Sequence, residues 1–106
     1  MIDSLNSTEV KRLFETGKRI RGKEVSLIIG ENGSGPFRFA VIPAKVRLAV
    51  KRNKVRRVVR EAVRSFRAKL PKEKTAAIIT SEKILLKKKE ELVLIIKNIF
   101  TQSKLL

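Results

Sequence analysis

The amino-acid sequence predicts one small α+β domain over residues 1–106, a two-layer α-β sandwich with element order αβββαβα. Three observations predict this class. The chain of 106 residues is 42% hydrophobic, enough for one compact core. Residues 51–70 have apolar side chains at helical spacing. Shorter runs are rich in β-branched residues, as strands are.

The first element is predicted to be a helix over residues 7–16. Ser7 can cap its N-terminus, and Gly17 can end it. Val10, Leu13 and Phe14 fall on one face, so we expect this face to pack against the rest of the domain.

Two strands are predicted next, at residues 25–29 and 37–42. Residues 31–36 between them are dense in turn formers and include an Asn-Gly pair, so we expect the strands to form a hairpin. Residues 43–49 are basic and irregular, and they either extend the sheet or cross over to the next element.

Residues 51–70 form the clearest helix, which Pro71 ends. Its apolar positions are Val55, Val58, Val59, Ala62, Val63, Phe66 and Leu70. A strand at residues 75–80 and a helix at residues 87–100 follow. The inward face of this last helix is predicted to comprise Leu92, Ile95, Ile96 and Ile99.

The charge is strongly unbalanced, with 26 Lys and Arg against 10 Asp and Glu, a net of +16. Such a domain is expected to bind a polyanion, most plausibly nucleic acid. A membrane surface is the other polyanion, but Trp and Tyr, the usual interfacial anchors, are absent. Without a recognisable signal or a long apolar stretch, we expect a cytoplasmic protein.

The composition also limits the chemistry. Cysteine and histidine are absent, which removes thiol nucleophiles and the commonest general base and metal ligand. The carboxylates are scattered along the chain, whereas metal-assisted phosphodiester hydrolysis needs them clustered. We therefore predict no catalytic residue and no metal ligand in this protein.

An arginine-rich arc is predicted on the long helix. At about 100° per residue, one arc adjacent to the apolar face contains Arg52, Asn53, Arg56, Arg57, Arg60, Arg64 and Arg67. Ordinary solvated faces mix charge signs, and this one does not. Like charges this dense repel each other unless phosphates lie between them, and the arginine fork suits phosphate oxygens. The pattern alone does not distinguish RNA from DNA.

The run A-V-K-R-N-K-V-R-R-V-V-R-E-A-V-R, residues 49–64, resembles the signature helix of the bacterial ribonuclease P protein family, A-V-x-R-N-R-x-K-R-x-x-R-E-x-x-R. Upstream, F-E-T-G-K at residues 14–18 resembles the family's F-x-x-G-K segment. The resemblance implies an α-β sandwich with a left-handed crossover into the signature helix, shared with a domain of a small-subunit ribosomal protein.

By this resemblance the chain is the protein subunit of ribonuclease P, a ribonucleoprotein endoribonuclease. It would bind the catalytic RNA and the 5′ leader of precursor tRNA and assist tRNA maturation, with no protein partner required. The RNA subunit would hold magnesium and cleave, and the protein would bind no cofactor. The implied RNA-binding residues are Lys45, Lys51, Arg52, Asn53, Lys54, Arg56, Arg57, Arg60 and Arg64. Phe14, Leu27 and Ile28 would line the leader cleft.

Two departures from the family pattern lie in or near the signature helix. Lys54 stands where the family has arginine, and Arg47 stands where it has glycine, which predicts another path for the loop before the helix. For Phe14, Phe37 and Phe39, core packing is expected rather than base stacking. The alternatives are a ribosomal or other structural RNA-binding protein without a role in cleavage, a DNA-binding regulator and a stand-alone metal-dependent nuclease.

Overall fold

A computed structural model describes residues 5–31 and 35–105. The elements are α1 (Ser7–Thr16), β1 (Lys18–Arg21), β2 (Val25–Glu31), β3 (Arg38–Pro43), α2 (Ala49–Arg64), β4 (Lys74–Thr80) and α3 (Lys89–Gln102). Short 3-10 helices occupy Arg67–Lys69 and Glu82–Leu86. The predicted α+β class and the order αβββαβα are confirmed.

The sheet has the strand order β1-β2-β4-β3. β2 is antiparallel to both β1 and β4, while β3 is parallel to β4 and connected to it through α2. The predicted hairpin between the strands at 25–29 and 37–42 is therefore wrong, because β4 lies between them. Of its predicted turn, residues 32–34 lie outside the described residues.

The observed hairpin joins β1 to β2 through residues 22–24, with Ile20 opposite Leu27. The position of β1 was not predicted from the sequence, because its four residues, K-R-I-R, contain one apolar side chain. Three of the four residues are exposed, so this strand lacks the apolar pattern by which a buried strand is predicted.

α2 and α3 cover one face of the sheet, and α1 crosses the other. Leu27, Phe39 and Ile78 belong to the larger core beneath α2 and α3, where the Phe66 ring meets the Phe100 ring edge-on at 5.5 Å between centroids. On the opposite face, Leu13 of α1 packs on Ile28 and Ala77. In α3, Leu92, Ile96 and Ile99 are buried as predicted, and Ile95 is partly buried.

The N-terminus of α1 is capped by Asn6, and not by Ser7 as predicted. The Glu9 backbone N–H donates to Asn6 Oδ1 at 2.9 Å, and the Asn6 N–H donates to Glu9 Oε1 at 3.0 Å. This reciprocal capping box satisfies two of the helix's unpaired N–H groups. Glu9 is thereby fixed at the start of α1, where it also reaches the sheet.

Candidate nucleic-acid interface

α2 presents a basic face to solvent because its apolar side is buried. Val55, Val59 and Val63 pack in the core, while Asn53 and Arg57 are exposed on the other side. A shallow depression of about 400 Å³ follows this side and is lined by Asn53, Arg56, Arg57, Arg60, Glu61 and Arg64. Five of the seven residues of the predicted arc line this depression, together with one acid, Glu61, while Arg52 and Arg67 do not line it. We call the surface of the depression the arginine face. A phosphate chain could lie along it.

The cations on the arginine face and beside it on α2 differ in their partners. Arg56 donates to Asn53 Oδ1 at 3.2 Å, and Lys51, at the start of α2, pairs with Glu82 at 3.1 Å. Among the residues that the structure describes, Lys54, Arg57 and Arg60 are in no ion pair. These three charges are available to an anion without first breaking a bond.

Arg52 bonds to the backbone of the preceding loop. Its Nη1 donates to the carbonyl oxygens of Arg47 at 2.7 Å and Val46 at 3.1 Å. Sequence reasoning placed Arg52 with the RNA-facing residues and did not anticipate these bonds, because they depend on where the loop runs. In this structure Arg52 holds the crossover loop, residues 44–48 between β3 and α2, against the first turn of α2.

The crossover loop bends at Lys45, which has a φ of 58° and an exposed side chain. The sequence placed the family's glycine at Arg47, yet Arg47 has no positive φ. The left-handed backbone is thus two residues earlier. Lys45 lies four residues before α2.

Of the three residues assigned to the leader cleft, only Phe14 is exposed. Phe14 is 47% exposed on α1, and the Arg19 guanidinium lies 5.9 Å from the centre of its ring. The expectation that Phe14 packs in the core is therefore wrong, whereas Phe37 and Phe39 are buried as predicted.

The two strand residues assigned to the cleft are buried. Ile28 is on the α1 face but only 1% exposed, because Leu13 covers it. Leu27 points to the opposite face and is fully buried under α2 and α3, so its assignment to the cleft is wrong. Adjacent residues of a strand face opposite ways, and the two cannot line the same cleft.

A groove of about 430 Å³ lies between the first turns of α1 and the sheet, with Thr8, Arg12, Glu31 and Thr75 among its lining residues. At its edge Arg38 of β3 donates to both carboxylate oxygens of Glu9, at 2.6 and 2.9 Å.

The Asn6 N–H, more than the Arg38 guanidinium, holds the pKa of Glu9 below its usual value. Sequence reasoning missed this ion pair, although the Asn-x-x-Glu spacing of the capping box marks Glu9 as a structural residue.

Within residues 5–31 and 35–105, no group of three or more acidic, His or Cys side chains is close enough to hold a metal ion. Over the same ranges, no helix is long and apolar enough to span a membrane.

Fold and site together define a class: small basic α+β proteins in which an arginine-rich helix connects two parallel strands. The sequence model of the Ribonuclease P family matches residues 5–104, so the chain belongs to this family. A search of the curated proteins returned no match.

Solved structures share the fold. A Staphylococcus aureus RNase P protein mutant with defective mRNA degradation activity superposes with a TM-score of 0.85 at 16% identity, covering 99% of this chain and 91% of that one. An RNase P protein from Thermotoga maritima gives 0.77 at 22% identity, covering 89% and 90%.

Proposed function

We propose that this chain is the protein subunit of ribonuclease P, that it binds the catalytic RNA and the 5′ leader of precursor tRNA, and that it assists 5′ maturation of tRNA. The observation that carries the proposal is the arginine face, where Arg57 and Arg60 are in no ion pair among the described residues. The family match favours this function over the ribosomal alternative.

The arginine face would act by neutralising phosphates of the RNA subunit. Each phosphate contact releases condensed counterions, so affinity falls steeply as salt rises. Lys54, Arg57 and Arg60 gain most from such contacts, since they exchange only water and not an internal partner. The same contact would extend along α2 to Lys51, Asn53, Arg56 and Arg64.

The chemistry itself would belong to the RNA. In this proposal the RNA subunit holds the magnesium ions and cleaves, while the protein supplies neither a catalytic residue nor a bound cofactor. Its contribution is to lower the phosphate repulsion between catalytic RNA and substrate. This activity would take place in the cytoplasm, with no membrane and no second protein needed.

The leader would approach the side of the sheet that α1 crosses. Phe14 and Arg19 form an exposed pair there, and an unpaired base can stack on a ring or a guanidinium plane. Leader binding in this protein would therefore use the outer surface of α1 and β1, and not the buried Ile28.

The test is binding of wild-type protein to a cognate ribonuclease P RNA over a salt series. Arg57→Gln with Arg60→Gln removes two charges of the arginine face, and Lys23→Gln with Lys72→Gln removes two exposed charges elsewhere. We expect the first double variant to lose affinity and about two units of salt slope. Equal behaviour of the two double variants would exclude the arginine face as the contact.

A further inference from the structure

A second groove lies between α2 and the 3-10 helix Glu82–Leu86. Its floor is apolar, formed by Val58 and Ala62 of α2, Ile84 and Leu85 of the 3-10 helix and Leu92 of α3. The volume is about 180 Å³, enough for one flat ring system and too small for a folded segment of protein.

The rim of this groove is cationic with a single acid. Lys54, Lys87 and Lys89 surround the apolar floor, together with Glu61. In the part of the chain that the structure describes, none of the three ammonium groups is in an ion pair. An occupant that complements this rim carries negative charge outside the groove and a flat apolar group with N–H donors inside it.

We propose that this groove holds one unpaired base of the RNA that the arginine face binds. Apolar side chains can stack on a base that has left its helix, and lysines can hold the phosphates on either side. The proposal rests on the proposed function, since it assigns a base-binding site to the same RNA.

The position of Glu61 selects among bases. A carboxylate only accepts hydrogen bonds, so it favours a base whose edge offers two donors side by side. Guanine offers N1–H and the N2 amino group on its Watson–Crick edge. Glu61 would therefore accept both from guanine, and this base should bind better than adenine, cytosine or uracil.

The groove is continuous with the arginine face. Glu61 lines both the groove and the arginine face. Lys54 lines both the groove and a shallow depression on the outer side of α2, which Asn53 and Arg57 also line. One RNA strand could cross α2 with its phosphates on the arginines of the arginine face and a single base inserted into the groove over Val58.

The direct test is a methyl NMR titration of the full chain with the pentaribonucleotide UUGUU and with the same oligomer carrying an abasic central position. We expect UUGUU to shift the methyl signals of Ile84, Leu85 and Leu92, and the abasic oligomer to bind roughly tenfold more weakly without these shifts. Identical shifts with both oligomers, or none with UUGUU, would overturn the base site.

Variants localise the effect. Lys87→Gln with Lys89→Gln should weaken UUGUU binding more than the charge-matched Lys23→Gln with Lys72→Gln, and Glu61→Gln should remove the preference for guanine. A groove occupied more tightly by an acidic peptide such as Glu-Glu-Leu-Glu-Glu than by UUGUU would also overturn the proposal. If UUGUU does not bind in the groove but ribonuclease P RNA still binds through Arg57 and Arg60, the base site is rejected and the proposed function is not. If the wild-type protein does not bind ribonuclease P RNA, the proposed function is rejected.

Discussion

Arginines of one helix can have different physical roles, and Arg52 and Arg57 illustrate this. Arg52 is partly buried and donates to two loop carbonyls, whereas Arg57 is exposed and in no ion pair among the described residues. Loss of Arg52 leaves carbonyl oxygens without a donor, while loss of Arg57 leaves nothing unpaired in the free protein. Stability and RNA affinity should therefore respond to different arginines.

Arg52→Ala should lower the free energy of unfolding by about 1.5–3 kcal/mol, the range for hydrogen bonds that involve a charged group. Arg57→Ala should change it by no more than about 0.5 kcal/mol. Urea unfolding of both variants in moderate salt measures the difference. Equal stabilities would show that the two loop bonds contribute nothing.

Glu9 makes the start of α1 sensitive to acid. Its folded-state pKa is lowered, by the Asn6 N–H first and also by Arg38, so its stabilising effect is complete above the ordinary value of 4.5 and disappears as pH falls through the lowered value. Unfolding measured from pH 7 to pH 3 should show stability lost below about pH 4.5.

Glu9→Gln should flatten that dependence, because the amide can still cap Asn6 but cannot titrate or form the ion pair with Arg38. Glu15→Gln, an exposed change in the same helix, serves as the control. A wild-type slope retained in the Glu9 variant would assign the acid sensitivity to other carboxylates.

At the scale of elements, the contact of α1 with β2 depends on a glycine. A Cβ at Gly30 would lie 2.4 Å from Leu13 Cδ2 and 3.3 Å from the Thr75 hydroxyl, so the buried Leu13 side chain would have to move to make room for it. The contact covers Ile28 and positions Phe14 and Arg19 at the outer surface.

Gly30→Ala should therefore displace Leu13 and destabilise the fold by about 1–3 kcal/mol, the usual effect of overpacking. Amide NMR shifts should concentrate in α1 and β2 and spare α2. Shifts of equal size along α2 would mean that the two faces of the sheet are more tightly coupled than the separate cores indicate.

The elements also show what a sequence can predict. α2 could be predicted from the sequence, because the helical spacing of its apolar residues determines both its buried side and its arginine face. The order of the strands could not be predicted, since β4 lies between β2 and β3 and pairs with residues that are far from it in the chain. The Leu27 assignment failed for a related reason: a shift of one residue reverses the face to which a strand residue points. Arg52 bonds to a loop whose path no local pattern specified.

For the whole molecule, the net charge of +16 opposes folding through self-repulsion. Anions that bind the native arginine face should relieve this repulsion and stabilise the fold by mass action, by about 2.7 kcal/mol at a hundredfold excess over Kd. Sulfate should raise the Tm more than sodium chloride of equal ionic strength does. Identical melting curves in the two salts would argue against a defined anion-binding surface.

The central claim is that this protein assists an RNA catalyst through α2. It is tested most directly by cleavage of precursor tRNA by a cognate ribonuclease P RNA at low magnesium, with and without the protein. We predict stimulation by the wild type and by Lys23→Gln with Lys72→Gln, and its loss with Arg57→Gln and Arg60→Gln. No stimulation by a wild-type protein that binds the RNA tightly, or cleavage by the protein alone, would contradict the account.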